Sequence, residues 1–393
     1  MKILVVCQYY YPEPFRITDI CEELVKKGHE VSVLTGIPNY PEGRIYQGYG
    51  FGKKRKEIIN GVKIQRCFTI GRRKGILFRF LNYYSFAFSS FVRSFFIKEK
   101  FDAVFVNQLS PVMMAEAAIN YKKRSGAKMY LYCLDLWPES LAAGGIKKGS
   151  PIYRLYHRVS ERIYKKADNI LVSSKSFSDY FEDEFGIENT VYLPQYAEAL
   201  FTAEKCRKEP DEKIDIMFAG NIGAAQSMDT VVYAAEKTKD IKNLYWHIVG
   251  DGSELERIKK LAETLDIRNM VFYGRKPLKT MPEYYSKADA MLVTMQKDET
   301  ICRTLPGKVQ TYMAAGKTIL GAIDGETAEV IKESGCGKCC GAEDSCGLAE
   351  IVRSFCENKA AEQCGNNSLD YYEKMFSKNS VITKLEKILA GEE

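Results

Sequence analysis

The sequence predicts an α/β protein built from two doubly wound parallel sheets. Three observations carry this. The chain has 393 residues, more than one core of ordinary size holds. Short, fully apolar strand-like runs alternate with amphipathic helical stretches. The alternation runs twice, with a polar, charged stretch between the two sets. Strands that are apolar on both faces belong in parallel sheets covered by helices on both sides. Hydrophobic residues make up 46% and charged residues 27% of the chain, which excludes a disordered, collagenous or coiled-coil protein.

In the first set the strands are read at 2–6, 30–35, 63–67, 103–107, 128–134 and 169–174. Helices fall between them, at 18–27 and 112–124 among others. The second set has strands at 190–194, 215–220, 244–250, 270–274, 290–295 and 318–323, with helices at 227–237, 254–264 and 306–315. The expected domains are 1–192 and 193–372, followed by a helix over 373–393 that packs back on the first domain. Two doubly wound domains that face each other leave a cleft at the carboxyl ends of their strands, where ligands bind in such folds. Chemistry is therefore sought in the residues just after each strand.

Charge is unevenly spread. The net charge is +6, yet residues 51–100 carry 13 Lys/Arg against 2 Asp/Glu. The excess starts at Lys53-Lys54-Arg55-Lys56 and continues at Arg72-Arg73-Lys74. It runs into an aromatic helix, residues 75–97, with nine aromatic rings. A basic, aromatic helix over 71–98 suits an anionic membrane surface. A core helix with a solvated lysine rim is the alternative. Nucleic acid is not an expected partner, because the rings sit in an apolar helix and not on a polar platform. The longest uncharged run, 80–92, is 13 residues, short of a bilayer span. The N-terminus runs straight into a strand pattern, without the apolar stretch of a signal peptide. The expected location is cytoplasmic, peripheral on the inner face of the cell membrane. Twelve cysteines are then expected as thiols. Cys336 and Cys339 have ligand-like spacing, but Cys346, Cys356 and Cys364 supply no second close pair, so no metal is expected.

The strand ends offer the following residues. The first turn, 7–16, lacks GxGxxG, which argues against a dinucleotide, and presents Glu13 and Arg16. The loop 36–50 presents Asn39, Tyr40, Glu42 and Arg44. After the fifth strand stand Asp135 and Trp137; Asp135 could act on a substrate hydroxyl or cap a helix. In the second set, Gly220, Asn221, Gly223 and Gln226 lie between a strand and a helix, an arrangement that favours an anion. Gly250 and Arg275 end the next two strands. Leu305, Pro306, Gly307 and Lys308 open a helix, Pro306 at a first-turn position, with Arg303 before it and Glu326 after the following strand. Amides and an ammonium there could hold a diphosphate. There is no P-loop, and of His29, His157 and His247 the first and last look structural. No Asp-x-Asp stands at a strand end, so neither metal nor cofactor is expected.

These residues resemble glycosyltransferase family 4, with the GT-B fold of two facing Rossmann-like domains and an inter-domain cleft. The likeness rests on 10–50, on LDLWPESL (134–141), on FAGNIGAAQSMDTV (218–231) and on LPGKVQTYMAAGKTILGAIDGE (305–326). It points to the branch of O-antigen, capsule and colanic acid assembly, which includes N-acetyl-fucosamine-type transferases. The resemblance implies transfer from a nucleotide diphosphate sugar with retention of configuration, the uridine diphosphate of an N-acetylated or deoxy hexosamine being expected. It implies a donor in the C-terminal domain and, in the N-terminal domain, a polyprenyl-diphosphate-linked saccharide as acceptor at the inner membrane face.

The chain departs from the family at two places. The family's spaced pair of Glu reads Arg303 and Thr311, and its Arg and Lys after the Gly-rich turn read Asn221 and Gln226. Lys308, Arg303 and Arg275 are the substitute cations. Asp135, Lys308 and Arg303 are the expected catalytic set. Gly220, Asn221, Gly223, Gln226, Gly250, Arg275, Leu305, Pro306, Gly307 and Glu326 form the donor set. Glu13, Arg16, Asn39, Tyr40, Glu42 and Trp137 form the acceptor set. A nucleotide-sugar 2-epimerase of the same fold, or a sugar-nucleotide-binding subunit without turnover, are the alternatives.

Overall fold

The computed structural model describes residues 1–50, 52–73, 75–143, 145–357 and 361–392. The chain divides into two compact units, 1–193 with 382–393, and 194–381.

The first unit holds β1 Lys2–Val6, β2 Glu30–Thr35, β3 Lys56–Ile59, β4 Val62–Arg66, β5 Ala103–Gln108, β6 Lys128–Cys133, β7 Asn169–Val172 and β8 Thr190–Tyr192. Its helices are α1 Ile17–Lys26, α2 Ile76–Ser94, α3 Glu116–Ser125, α4 Glu139–Ala143, α5 Pro151–Tyr164 and α6 Ser176–Phe185. The sheet order is β3-β4-β2-β1-β5-β6-β7-β8, parallel except for the β3–β4 pair. Ile3, Val5, Val6, Val104 and Phe105 are completely buried, as strands covered on both faces must be.

Two strands escape the apolar pattern. β3 reads KEII, with half of its residues exposed. Its signal is the turn: Asn60 and Gly61 both take positive φ, 48° and 81°, which is the two-residue hairpin geometry. The other is a four-residue edge strand of the second unit, Gly337–Cys340, too short and too rich in cysteine to read as apolar. The strand read at 190–194 and counted with the second set is β8, which pairs in parallel with β7 in the first sheet. Only three residues long and half-buried, it lies next to the division between the units.

The second unit holds β9 Ile214–Ala219, β10 Leu244–Val249, β11 Met270–Gly274, β12 Ala290–Thr294, β13 Thr318–Ala322 and β14 Gly337–Cys340. Its helices are α7 Ala203–Cys206, α8 Met228–Lys237, α9 Leu255–Thr264, α10 Met281–Tyr285, α11 Glu299–Cys302, α12 Gly307–Ala314, α13 Glu326–Ser334, α14 Ser345–Glu357 and α15 Ala361–Met375. The sheet is β11-β10-β9-β12-β13-β14, all parallel. Trp246, Ile248, Phe218 and Leu292 sit in its core. A last helix, α16 Lys378–Ala390, enters the first unit from residue 382. There Glu386 accepts from Lys27 Nζ at 3.0 Å and meets His29 Nε2 at 2.8 Å. His29 is thus structural. So is His247, held between Asp215 at 2.7 Å and the Tyr273 hydroxyl at 2.8 Å.

Both sheets reverse direction once, the first between β1 and β5 and the second between β9 and β12. Loops leave these switch points on opposite faces and open a crevice. In the second unit the crevice depends on bare backbone. A Cβ on Gly250, which has φ of 150°, would stand 1.8 Å from the Gly220 carbonyl oxygen. We therefore expect Gly250→Ala to destabilise the second unit by about 2 kcal/mol or more. Its thermal unfolding midpoint, followed by circular dichroism, should fall by roughly 4–8 °C; an unchanged midpoint would show that the two turns can separate freely.

Candidate functional site

In the second unit, Gly220 follows β9 with φ of 154°. The chain then makes a short 3-10 turn over Ala224–Gln226 before α8 begins at Met228, within one residue of the expected start. The turn is tied to β12: Thr294 Oγ1 donates to the Gln226 carbonyl at 2.6 Å and the Gln296 amide to the Ala225 carbonyl at 2.9 Å. Across from it stands α12. Pro306 is its N-cap, one position before the first turn, and Gly307 and Lys308 are its first residues. One turn on, the buried Tyr312 keys the helix into β9. Its hydroxyl donates to the Ala219 carbonyl at 3.0 Å and accepts from the Ala219 amide at 3.2 Å. Residues four apart share a helix face, so this lock delivers Lys308 to Gly220.

The geometry there is close. Lys308 Nζ lies 4.1 Å over the Phe218 ring and would be 3.1 Å from a Cβ on Gly220. It donates to the Gln226 side-chain oxygen. Burial pushes this ammonium down to about 7. A cation thus stands beside position 226, reaching it from position 308. The other two expected cations lie at the end of β11 and the end of α11. Arg275 is exposed at the end of β11, with β10 lying between that strand and β9. Arg303 closes α11 and lies 3.8 Å from Glu299. Asn221 is exposed and Leu305 is buried beside α12. A Cβ on Gly223 would stand 2.7 Å from Nδ2 of the exposed Asn221 side chain, which can move aside. Gly250 serves the packing of the Gly220 turn. Glu326 is buried in the first turn of α13. Thr311 donates its hydroxyl back to the Gly307 carbonyl at 3.0 Å, so no carboxylate replaces the family's second Glu there.

In the first unit, the predicted residues separate into two groups. Glu13 and Asn39 are buried and face inward. Glu13 accepts from the backbone amides of Tyr10, Asn39 and Tyr40 at 3.2, 2.8 and 2.7 Å. Burial pushes its carboxyl up to about 7 against the pull of these amides. Asn39 Oδ1 accepts from the Arg72 amide at 3.0 Å and from Asn82 Nδ2 at 3.2 Å. Asn82 in turn accepts from Gln8 Nε2 at 2.8 Å. This buried network fastens the loops after β1, β2 and β4 to α2. Arg16 is half-buried before α1 and Glu42 is exposed.

The second group lines a cavity of about 360 Å³. Asp135, Tyr40 and Trp137 are in it, joined by Tyr9, Tyr83, Arg72 and Arg79. Asp135 does not cap a helix through a backbone amide; its two oxygens accept from the hydroxyls of Ser110 and Ser140. Trp137 Nε1 donates to the same Ser110 at 2.8 Å. Burial raises the Asp135 carboxyl, and the two hydroxyls pull it the other way. The Arg72 guanidinium lies 5.5 Å from the Tyr83 ring centroid. Sequence reasoning missed Arg79, Ser110 and Ser140 as site residues, and saw Arg72 only as part of a basic run. A carboxylate, two guanidinium groups and aromatic faces in one cavity can orient a sugar hydroxyl and receive an anion.

The same helix, α2, has a second face. Leu77, Leu81, Tyr84, Phe88, Val92 and Phe95 form an exposed apolar stripe, with Leu77 at 68% and Phe88 at 72% exposure. Phe86, Ser90 and Ser94 on its other side are completely buried, as a core helix requires. The Tyr84 hydroxyl meets that of Tyr156 on α5, whose Ile152 and Leu155 extend the exposed apolar surface. No helix among the described residues is long and apolar enough to cross a membrane. All twelve cysteines are free, and among the described residues no His/Cys/Asp/Glu cluster could hold a metal.

Two family models match the chain: Glycosyltransferase Family 4 over residues 16–194, and Glycosyl transferases group 1 over residues 202–370. The chain is 27% identical over 335 residues to WcaI of Escherichia coli, which carries the name of a colanic acid biosynthesis glycosyl transferase. That match covers 80% of this chain and 82% of WcaI. It is 28% identical over 252 residues to WbjE of Pseudomonas aeruginosa, named as a glycosyltransferase, covering 59% of this chain and 60% of that protein. Among solved structures, HepE of Anabaena in complex with UDP has the same fold, with a TM-score of 0.73, 12% identity and full coverage of both chains. A family 4 domain followed by a group 1 domain, each on its own doubly wound sheet, places the chain among the GT-B glycosyltransferases.

Proposed function

We propose that this glycosyltransferase moves a sugar, with retention of configuration, from a uridine diphosphate sugar to a lipid-diphosphate-linked saccharide in surface polysaccharide synthesis. The observation that carries this reading is Lys308, whose ammonium is delivered to the Gly220 turn beside the N-terminus of α12. A diphosphate seated there meets a cation, helix amides and bare glycine backbone together. The charge that develops on the departing diphosphate is what such a site stabilises, and no metal is called for. The names of WcaI and WbjE support the polysaccharide assignment, and HepE, also solved with UDP-glucose, supports the nucleotide.

The cavity of the first unit is the acceptor site in this reading. Asp135 orients the attacking hydroxyl, while Arg72 and Arg79 receive the diphosphate of the lipid-linked saccharide. Tyr40, Tyr83 and Trp137 offer faces to the sugar. The leaving diphosphate assists removal of the acceptor proton, so the protein mainly positions and stabilises. The exposed stripe of α2, flanked by the basic segment, sits on an anionic bilayer and brings the cavity to its substrate.

Four outcomes test this. Isothermal titration with UDP should give an affinity about 10–100-fold weaker in Lys308→Gln, the loss of about 1.5–3 kcal/mol typical of a charged hydrogen bond. The pH dependence has a definite sign. Above about 7 the buried Lys308 is neutral and must take up a proton to meet the diphosphate, so wild-type affinity should fall between pH 7 and 8.5. Lys308→Gln should lose that slope; a slope that survives removes Lys308 from the diphosphate. Asp135→Asn should lower transfer to a polyprenyl-diphosphate saccharide at least tenfold while UDP binding is unchanged. An Asp135→Asn protein with full turnover contradicts its role, and a wild-type protein that binds UDP without transfer or hydrolysis is a binding subunit. Phe88→Glu should reduce co-sedimentation with phosphatidylglycerol vesicles several-fold and leave UDP binding intact.

A further inference from the structure

A second cavity, of about 580 Å³, lies at the other end of α2. A parallel sheet needs its faces covered, and α2 covers this one only as far as Ser94. The chain then turns away through Phe95, Phe96 and Ile97, and a corner of the sheet is left open. The floor of the opening is Leu4 of β1 with Leu34 and Ser32 of β2, which share one face of the sheet. Its lips are Ile58 of β3 and Phe96, two large apolar side chains at 73% and 64% exposure. Such exposure around one cavity is costly in water and marks a binding surface.

The rim is cationic. Lys56, Lys63, Arg93 and Lys98 stand on it, with Glu57 and Glu99 as its acids. Lys63 is committed to Glu99 at 3.4 Å and to Glu30 at 3.5 Å, and Glu57 accepts from Arg66 Nε at 3.1 Å. Lys56 and Lys98 have no acid within ion-pair distance among the described residues. Arg93 reaches only the neutral Gln65 Oε1, at 3.4 Å, and its buried Nε has no hydrogen-bond partner. Three cations without an acid partner among the described residues therefore line one cavity. Phe96 also continues the exposed stripe of α2, so the hole opens where that stripe ends.

We propose that this cavity takes one acyl chain of an anionic membrane phospholipid, with the headgroup phosphate on Lys56, Arg93 and Lys98. The volume and walls suit a linear hydrocarbon, the rim suits an anion, and the contiguous stripe supplies the bilayer from which the lipid comes. That source rests on the membrane contact proposed above, whereas the cavity does not. A bound chain would hold the basic segment 53–56 and the end of α2 in one fixed relation to the bilayer.

Native mass spectrometry of the full chain with 1-palmitoyl lysophosphatidylglycerol, below its micellar concentration, tests this. The expected result is a complex of one lipid per chain. Ser32→Trp, which fills the cavity, and Ile58→Asp, at its exposed lip, should each weaken it at least tenfold. Lys56→Glu with Lys98→Glu should weaken it several-fold. Phe88→Glu, remote from the cavity, should keep the lysolipid while losing vesicle association. If the wild-type protein forms the complex but does not bind vesicles, the cavity stands and the bilayer contact fails. No complex with wild type, or equal binding by Ser32→Trp and Ile58→Asp, overturns the proposal. Tighter binding of farnesyl phosphate than of the lysolipid overturns the phospholipid assignment.

Discussion

A parallel strand cannot turn directly into its neighbour; the chain must cross over and start again from the same end. Every strand of the second sheet, and every strand of the first except β3, therefore ends on one edge. That constraint gathers residues remote in sequence. Tyr9, Ser110 and Asp135 follow β1, β5 and β6, and meet in one cavity. Gly220 and Gln226 follow β9, and Lys308 comes 82 residues after Gln226 to the same turn. The crevice also requires backbone to touch backbone. With any side chain at Gly250 or Gly252, the turn after β10 could not approach the turn after β9, since a Cβ at Gly252 would lie 2.2 Å from the Ile222 carbonyl oxygen.

The two units solve their electrostatics differently. In the second, one ammonium is buried against a ring and a neutral amide, with burial holding its affinity for protons down. Such a cation is poised for an anion, because the low-dielectric surroundings that penalise its charge also strengthen its attraction to a partner. In the first, buried carboxylates are met by neutral donors. Asp135 is dressed by two hydroxyls, while Glu13 is spent on three backbone amides that hold loops together. One buried carboxylate builds the wall and another faces the cavity.

Helix α2 joins these themes. Asn82 on its inner side anchors the polar network, and Tyr83 faces the cavity. Its outer stripe lies in solvent, and its end leaves the sheet partly uncovered. A helix apolar on nearly all sides is ordinarily buried. Here one side is buried by the sheet and by α3, where Asn120 donates to the Ser94 hydroxyl at 2.7 Å. The remaining side is an exposed apolar stripe.

The sequence by itself determined the strands, the two-sheet architecture and the family. Apolar periodicity and the motifs at 218–231 and 305–326 are local and survive in a linear reading. Even the missed hairpin was legible in Asn60-Gly61, whose positive φ values suit a two-residue turn. It could not show which polar residues face a cavity and which face the interior. Glu13 and Asp135 both follow a strand, and only packing turned one inward and the other outward. Tertiary structure alone placed Lys308 beside Gln226, by way of the Tyr312–Ala219 lock, and brought Arg72, Arg79 and Asp135 to one cavity. Side-chain direction depends on which elements cross at the switch points, and that crossing is a property of the assembled sheet and not of any segment of it.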